Sequence, residues 1–346
     1  MQITVGDSHE VVGPSAGPGA VVLTHLPVDA ALDVVAEPEG KPAQKVGSLH
    51  TLSPPPGQEL FRLATVNDIH LGDPTFGKWP TVTHPPGASV PPPERCLAAA
   101  MAELATWGAQ LVVAKGDITD HGRSEEWETA AKLLSAPGLP VEAILGNHDV
   151  CSRAIDPRPA LAAAGIALST GGPQERDLPG VCLVLADTTV DCHNRGTIDP
   201  STAAIARLVG EARGPALVAM HHHPQRHRLM THPPQGIPGA EAMPFLDAVA
   251  EANPATLVVT GHSHRHRAHS WGPVTVAEVG SPQDFPGTWA GYVVHEGGIR
   301  QVVRRVADPE AMAWTDSTRR CFLGLWGHWS PGTLAQRCFS LTWPER

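Results

Sequence analysis

Leu60-Phe-Arg-Leu-Ala-Thr-Val-Asn-Asp-Ile-His70 is the stretch on which the reading of this chain turns. Its first seven residues form a short, mostly apolar run of the kind that makes a buried strand. The run leads directly into Asp68 and His70, side chains that bind metals and move protons. Further apolar runs follow at Leu111 to Ala114, Val141 to Leu145, Val181 to Leu185, Ala216 to Met220 and Leu257 to Thr260. Helical stretches fit between several of them. In Glu94 to Trp107, for instance, Leu97, Met101 and Leu104 repeat at i, i+4 and i+7 and share one face. Ser124 is placed to cap the next helix, with Glu125 and Glu126 in its first turn, where carboxylates suit the dipole. Short apolar strands alternating with helices predict an α/β layered domain.

The flanks read differently. Residues 1–58 carry short β-like pieces, Gly19-Ala-Val-Val-Leu-Thr24 and Leu32-Asp-Val-Val35, between Gly, Pro and Asp turn signals, which predicts a small β-rich N-terminal module. Ser53-Pro-Pro-Pro-Gly57 marks its boundary, because consecutive prolines continue neither a ladder nor a helix. The α/β domain is expected over 59–306. Past Val306, Trp314, Trp326, Trp329 and Trp343 crowd a C-terminal extension, 307–346, expected to pack on the domain or to serve as a substrate cap or dimer contact. Two long loops interrupt the domain, Gly72 to Pro92 and Pro224 to Pro244; loops of that length are usually functional or disordered. Trp79 and His84 in the first are candidates to line a lid.

Composition narrows the function classes. The chain has 346 residues, 42% hydrophobic and 17% charged, as for a folded globular protein. Its formal net charge of −10 disfavours a broad grip on nucleic acid, which needs Lys and Arg against phosphates. The single Tyr292 and six Phe likewise argue against a nuclease with stacking platforms. The N-terminal residues lack a secretory pattern and no apolar run of about 18 residues occurs, so a soluble, cytoplasmic protein that binds no membrane is expected. Six scattered cysteines contain no CxxC pair and read as free thiols.

Five motifs follow in order: Asp68-Ile-His70, Gly116-Asp117-Ile-Thr-Asp120, Gly146-Asn147-His148-Asp149, His221-His222-His223-Pro224 and Gly261-His262-Ser-His264. Each begins where a predicted strand ends, and in open α/β sheets those ends converge on one edge. Carboxylate and amide oxygens with imidazoles, and no thiolate, make a mixed set suited to Mn, Fe, Zn or Co rather than to Ca or Mg alone. Singly, a histidine is more often a hydrogen-bonded core residue and a GD pair more often a turn; together at strand ends they point to a metal centre. His227, His266 and His269, with Arg226, Arg228, Arg265 and Arg267, read either as solvated polar segments or, for the arginines, as holders of phosphate oxygens.

The order of these motifs resembles the calcineurin-like metallophosphoesterases, whose blocks run DxH, GDxxD, GNHD, a His before a proline, and GHxH. The likeness covers roughly 60–306 and implies a four-layer α/β/β/α sandwich. It implies Asp68, His70 and His264 on one metal, Asn147, His222 and His262 on the other, and Asp117 as the bridge; His222 is selected because the family's ligand stands two before the proline. His148 takes the proton-donor place. Asn67 stands where the family usually has Ser, at a position that is not a ligand. Two transition-metal ions (Mn, Fe or Zn) would clamp a phosphoryl group and lower the pKa of a bound water to about 7.

Within the family, Gly116-Asp-Ile-Thr-Asp-His-Gly122 resembles bacterial cyclic-nucleotide and glycerophosphodiester phosphodiesterases, which implies a small anionic diester as substrate. A phosphomonoesterase or nucleotide pyrophosphatase with the same centre is the alternative, and a homo-oligomer is compatible with either. Some proteins of this fold have lost ligands and serve as scaffolds; here all seven ligand positions are filled.

Overall fold

The computed structural model describes residues 1–11, 19–84, 89–151, 154–230 and 233–343. Positions 85–88 and 231–232 of the two long loops lie outside the described residues.

Two sheets stack face to face. The first orders its strands Ala167–Ser169, Val141–Ile144, Leu111–Lys115, Glu59–Val66, Thr288–His295, Gly298–Arg305 and Phe339–Thr342. The first four run parallel, and the last three continue antiparallel. The second sheet orders Gln174–Leu178, Val181–Ala186, Ala216–Met220, Thr256–Thr260, Val274–Glu278 and Arg267–Trp271. Its four central strands are parallel and its edges antiparallel.

The central strands are buried on both faces, which explains why they read as continuous apolar runs instead of alternating. Leu63, Val113, Ile144, Leu183, Leu185, Leu217, Leu257 and Tyr292 fill the space between the sheets. Helices Pro92–Trp107 and Ser124–Ser135 cover the first sheet through Leu97, Met101, Leu104, Trp127 and Leu134. Helices Thr202–Glu211 and Gly239–Ala252 cover the second through Ile205, Val209, Phe245 and Val249. The architecture is the α/β/β/α sandwich.

Several local expectations need correction. Gly19 to Thr24 forms no strand; Leu32 to Val35 lies in Ala31–Glu37, which joins Gln2–Val5, Ser8–Val11 and Gln44–His50 in a separate antiparallel sheet. Ser124 is the first helical residue instead of the cap. The helix entry is held from the other side, where the Glu126 carboxylate accepts from the backbone N–H of His121 (2.9 Å) and Arg123 (3.1 Å). Pro244 ends no loop, since it sits inside the helix that starts at Gly239, where burial of Phe245, Leu246 and Val249 outweighs its missing N–H. His266 is not solvated: it is fully buried, its ring bonded to Thr288 Oγ1 at 3.0 Å and the Gly280 N–H at 3.2 Å.

The segment past Val306 is woven into the sandwich. After helix Pro309–Thr318 the chain makes short turns through Trp326–Trp329 and Leu334–Arg337, and then supplies the last strand of the first sheet. Among the described residues no helix is long and apolar enough to cross a membrane.

Candidate metal centre

The ends of five strands bring the motifs together at one edge of the sandwich. Asp68 and His70 follow Glu59–Val66, Asp117 follows Leu111–Lys115, Asn147 and His148 follow Val141–Ile144, His221 and His222 follow Ala216–Met220, and His262 and His264 follow Thr256–Thr260. Strand alternation is not what aims these side chains. Asp68, His70, Asp117, His262 and His264 all have left-handed backbones, with φ of 54°, 50°, 47°, 68° and 51°. Non-glycine residues rarely adopt this region, and such strain concentrates at functional sites. The reversed turns let residues two apart project toward the same point after the strand has ended. Gly146 gives the room: a Cβ there would collide with the backbone nitrogen and Oδ1 of Asp117.

One group is Asp68, His70 and His264. The Nε2 atoms of His70 and His264 face each other at 3.1 Å, and His264 Nε2 is 3.7 Å from Asp68 Oδ1. Two imidazoles at about 2.0–2.1 Å from one cation need a separation of this size. Asp284, fully buried, accepts from His264 Nδ1 at 2.5 Å and from Trp326 Nε1 at 2.9 Å. It thereby turns the opposite nitrogen of His264 toward Asp68. Although burial opposes it, Asp284 and Asp68 push the His264 pKa up to about 9. The same two carboxylates favour a cation at this spot.

The other group is His221, His222 and His262, whose ligand atoms lie within 4.8 Å of one another. Burial, with His221 adding for His222 and with His222 and then His221 adding for His262, holds both rings neutral, the form that offers a lone pair. His222 bonds Thr188 Oγ1 through Nδ1 at 2.8 Å, which leaves Nε2 buried and without a hydrogen bond. Asn147 Oδ1 is buried in the same condition. Buried polar atoms are seldom left so, and these two are the kind of donor a cation satisfies.

Asp117 lies between the groups. His70 Nε2 is 3.8 Å and His221 Nε2 3.2 Å from its Oδ2, and its Oδ1 accepts the His148 N–H at 2.9 Å. His221 went unselected in the sequence, yet it is fully buried, donor-fixed through Nδ1 to the Lys115 carbonyl at 2.8 Å, and faces the bridging position. The structure therefore brings both His221 and His222 to the centre.

His148 stands at the rim, its side chain 39% exposed. Its Nδ1 is engaged by Asp120 through Oδ1 at 3.0 Å and the carbonyl at 3.1 Å, so Nε2 is the atom left for a ligand. Burial pulls its pKa down, but Asp120 and Asp117 prevail and push it up to about 10. Asp149, buried behind, accepts from the N–H groups of Thr119 (2.8 Å) and Gly146 (2.9 Å) and ties two motif loops together. The roles of Asp120, Asp149, Asp284 and Thr188 were not singled out in the sequence. They are ordinary polar residues until the fold sets them behind a ligand.

A cavity of about 830 Å³ opens over the centre, bordered by His70, Asp117, Asn147, His148, His262 and His264 on one side and by Phe76, Phe322 and Trp326 on another. Neither Trp79 nor His84 lines it; Phe76 and Gly77 are what the first long loop contributes. No arginine lines it among the described residues either. Arg265 lies over the Trp329 ring at 4.6 Å, and Arg267 is 3.8 Å from Glu278.

A profile of calcineurin-like phosphoesterases matches residues 61–266. A probable cyclic nucleotide phosphodiesterase of Synechococcus sp. is 23% identical over 239 residues, covering 66% of this chain and 85% of that protein. Among solved structures, a Thermus thermophilus protein aligns over 68% of this chain and 95% of its own at 10% identity, with a TM-score of 0.46. A purple acid phosphatase from yellow lupin seeds aligns over 82% and 59% at 12% identity, with a TM-score of 0.47.

Proposed function

The chain belongs to the calcineurin-like phosphoesterase family, and from that premise we propose that this phosphoester hydrolase is a phosphodiesterase acting on a small diester. The observation that carries the reading is the convergence of Asp68, His70, Asp117, Asn147, His222, His262 and His264 beneath a cavity whose rim holds His148. In this reading Asp68, His70 and His264 would hold one ion, Asn147, His222 and His262 a second, and Asp117 both, with His221 adjoining the bridge. The ions, Mn, Fe or Zn, would polarise the phosphoryl oxygens and make a bound water acidic enough to attack at neutral pH.

The remaining work falls to the chain's own residues. Asp120 holds the proton-rich ring of His148 with Nε2 toward the cavity, from where it donates to the departing oxygen; such acid catalysis is commonly worth about 10²–10⁴-fold. Beyond the proposed ions and His148, no Lys or Arg lines the cavity among the described residues, which suits the single negative charge of a diester. The Synechococcus relative described as a probable cyclic nucleotide phosphodiesterase supports the same choice.

The test is a panel of diesters, monoesters and cyclic nucleotides assayed with Mn, Fe and Zn, using wild type and His148→Ala. The variant should lose kcat strongly on an alkyl diester, whose alkoxide needs a proton, and much less on a nitrophenyl diester, whose phenolate leaves as the anion. Equal losses, or loss of metal from the variant, would remove His148 from the donor role. A higher kcat/KM on monoesters would end the phosphodiesterase reading.

A further inference from the structure

The C-terminal segment supplies much of the cavity's lining. Phe322, Leu325, Trp326, His328 and Trp329 line it together with His70, Asn147 and His148. The rings form a continuous cluster in which Trp326 lies 5.5 Å from Phe76, 5.4 Å from Phe322 and 5.4 Å from Trp329, at interplanar angles of 54°, 48° and 43°. The cluster abuts the candidate ligands directly: the His264 ring centroid is 6.1 Å from Phe76 and 6.4 Å from Trp326. A substituent on a phosphoryl group bound beside His264 therefore meets these rings first.

The wall is held rigid. Trp314 Nε1 donates to the Gln283 carbonyl at 2.7 Å, the Phe285 N–H donates to Thr318 Oγ1 at 2.8 Å, and Ser330 Oγ donates to the Phe285 carbonyl at 2.7 Å. With the Trp326–Asp284 bond, these fasten the segment to the loop that orients His264. A cavity of about 830 Å³ is far larger than a phosphoryl group needs and lies within the usual range for small-molecule sites. Its polar lining away from the centre is sparse, with Asn194 and His328.

We propose that this aromatic wall is a substrate-selecting subsite for a flat, uncharged aromatic group carried by the ester, a nucleobase or an aryl ring. Rings preorganised at such angles receive a planar group by stacking and edge contact, at little entropic cost. A polyol such as glycerol would give up water there for few hydrogen-bonding partners, Asn194 and His328, which costs binding free energy. A second phosphate would find no Lys or Arg among the described lining residues, which sets nucleotide pyrophosphates aside. The inference rests on the phosphoesterase reading but not on the preference for diesters.

The experiment compares kcat/KM for cyclic AMP, bis(p-nitrophenyl) phosphate and glycerophosphoethanolamine, and in parallel for AMP and glycerol phosphate, in wild type, Phe322→Ala and Leu325→Ala. Leu325 is 67% exposed, so its truncation tests the wall without risk to the core. The ratio of cyclic AMP to glycerophosphoethanolamine should favour cyclic AMP in the wild type and fall about tenfold in Phe322→Ala, the loss expected for one stacking ring, and less in Leu325→Ala. Adenosine should inhibit the wild type competitively, and glycerol should not. Discrimination for cyclic AMP but not for the aryl diester assigns the subsite to a nucleobase, and the reverse to an aryl group. Ratios to glycerophosphoethanolamine that stay unchanged in both variants for cyclic AMP and for the aryl diester alike would overturn the proposal, and no inhibition by adenosine would exclude the nucleobase. If monoesters prove better substrates while AMP still exceeds glycerol phosphate, the diester reading fails and the wall stands.

Discussion

Asp284→Asn tests the centre through a residue that touches no proposed ion. The buried Asp284 carboxylate has two donors to satisfy, His264 Nδ1 at 2.5 Å on one oxygen and Trp326 Nε1 at 2.9 Å on the other. Asparagine keeps the shape but has one acceptor and one amide, so in either orientation an N–H meets an N–H. The charge that draws a proton onto Nδ1, and so leaves Nε2 free for a cation, also disappears. A hydrogen bond to a charged group is worth about 1.5–3 kcal/mol. Loss of the partner behind a metal-binding histidine typically lowers affinity about 10–100-fold, which is about 1.4–2.7 kcal/mol. The two magnitudes agree, so one of the two ions should bind about 10–100-fold more weakly while the other is little changed. Competition with a chromogenic chelator, titrated with Zn or Mn, reads both affinities. Circular dichroism and thermal melting check that the variant folds. Trp326→Phe removes only the second donor, and its effect should be smaller. A folded Asp284→Asn protein with both affinities at wild-type level would refute the claim that His264 is a ligand oriented by Asp284.

Three further outcomes are expected. Asp117→Ala should empty both positions and abolish activity, whereas His70→Ala should empty mainly one; elemental analysis distinguishes them, and equal depletion by both would undo the bridging assignment. Gly146→Ala drives a methyl into the Asp117 backbone nitrogen, so it should destabilise by about 1–3 kcal/mol in urea unfolding and lower metal content, because the Asp117 loop must move. Burial, with Arg337 and Lys115 adding, pushes His266 down to about 3, so the unfolded chain takes up a proton near pH 6.5 that the folded chain refuses. Stability from this residue is complete above about pH 6.5 and falls by up to about 1.4 kcal/mol per pH unit below it, until about pH 3. Urea midpoints from pH 7.5 to 5 should decline more steeply in the wild type than in His266→Gln; parallel declines would show that His266 is not held neutral.

Features set by near neighbours in the chain are legible in the sequence. The six strands are readable because central strands covered on both faces must be apolar throughout, and runs this short, bounded by turn residues, are too brief for a buried helix. Candidate ligands are recognisable because each stands just past such a run. Where partners are distant, local patterning misleads. Gly19 to Thr24 has strand-like residues and no strand, and His266 sits among polar neighbours in the chain, yet Ser330, 64 positions on, accepts its backbone N–H at 2.9 Å and helps to bury it.

What the sequence determined by itself is an α/β layered domain and the residue types gathered at one sheet edge, because periodicity and motif order are properties of the chain alone; the α/β/β/α arrangement came with the family those motifs resemble. What only the tertiary structure decided is direction. Nothing local says that Asp68, His70, Asp117, His262 and His264 turn through left-handed backbones toward one point, or that His221 faces Asp117 at 3.2 Å while His222 turns to Thr188. Nor does it say that tryptophans near the C-terminal end line a cavity with His70 and Asp117, more than two hundred residues earlier. A side chain's aim depends on the turn beneath it and on the atoms that block its other rotamers, and those atoms arrive from elsewhere in the chain only on folding.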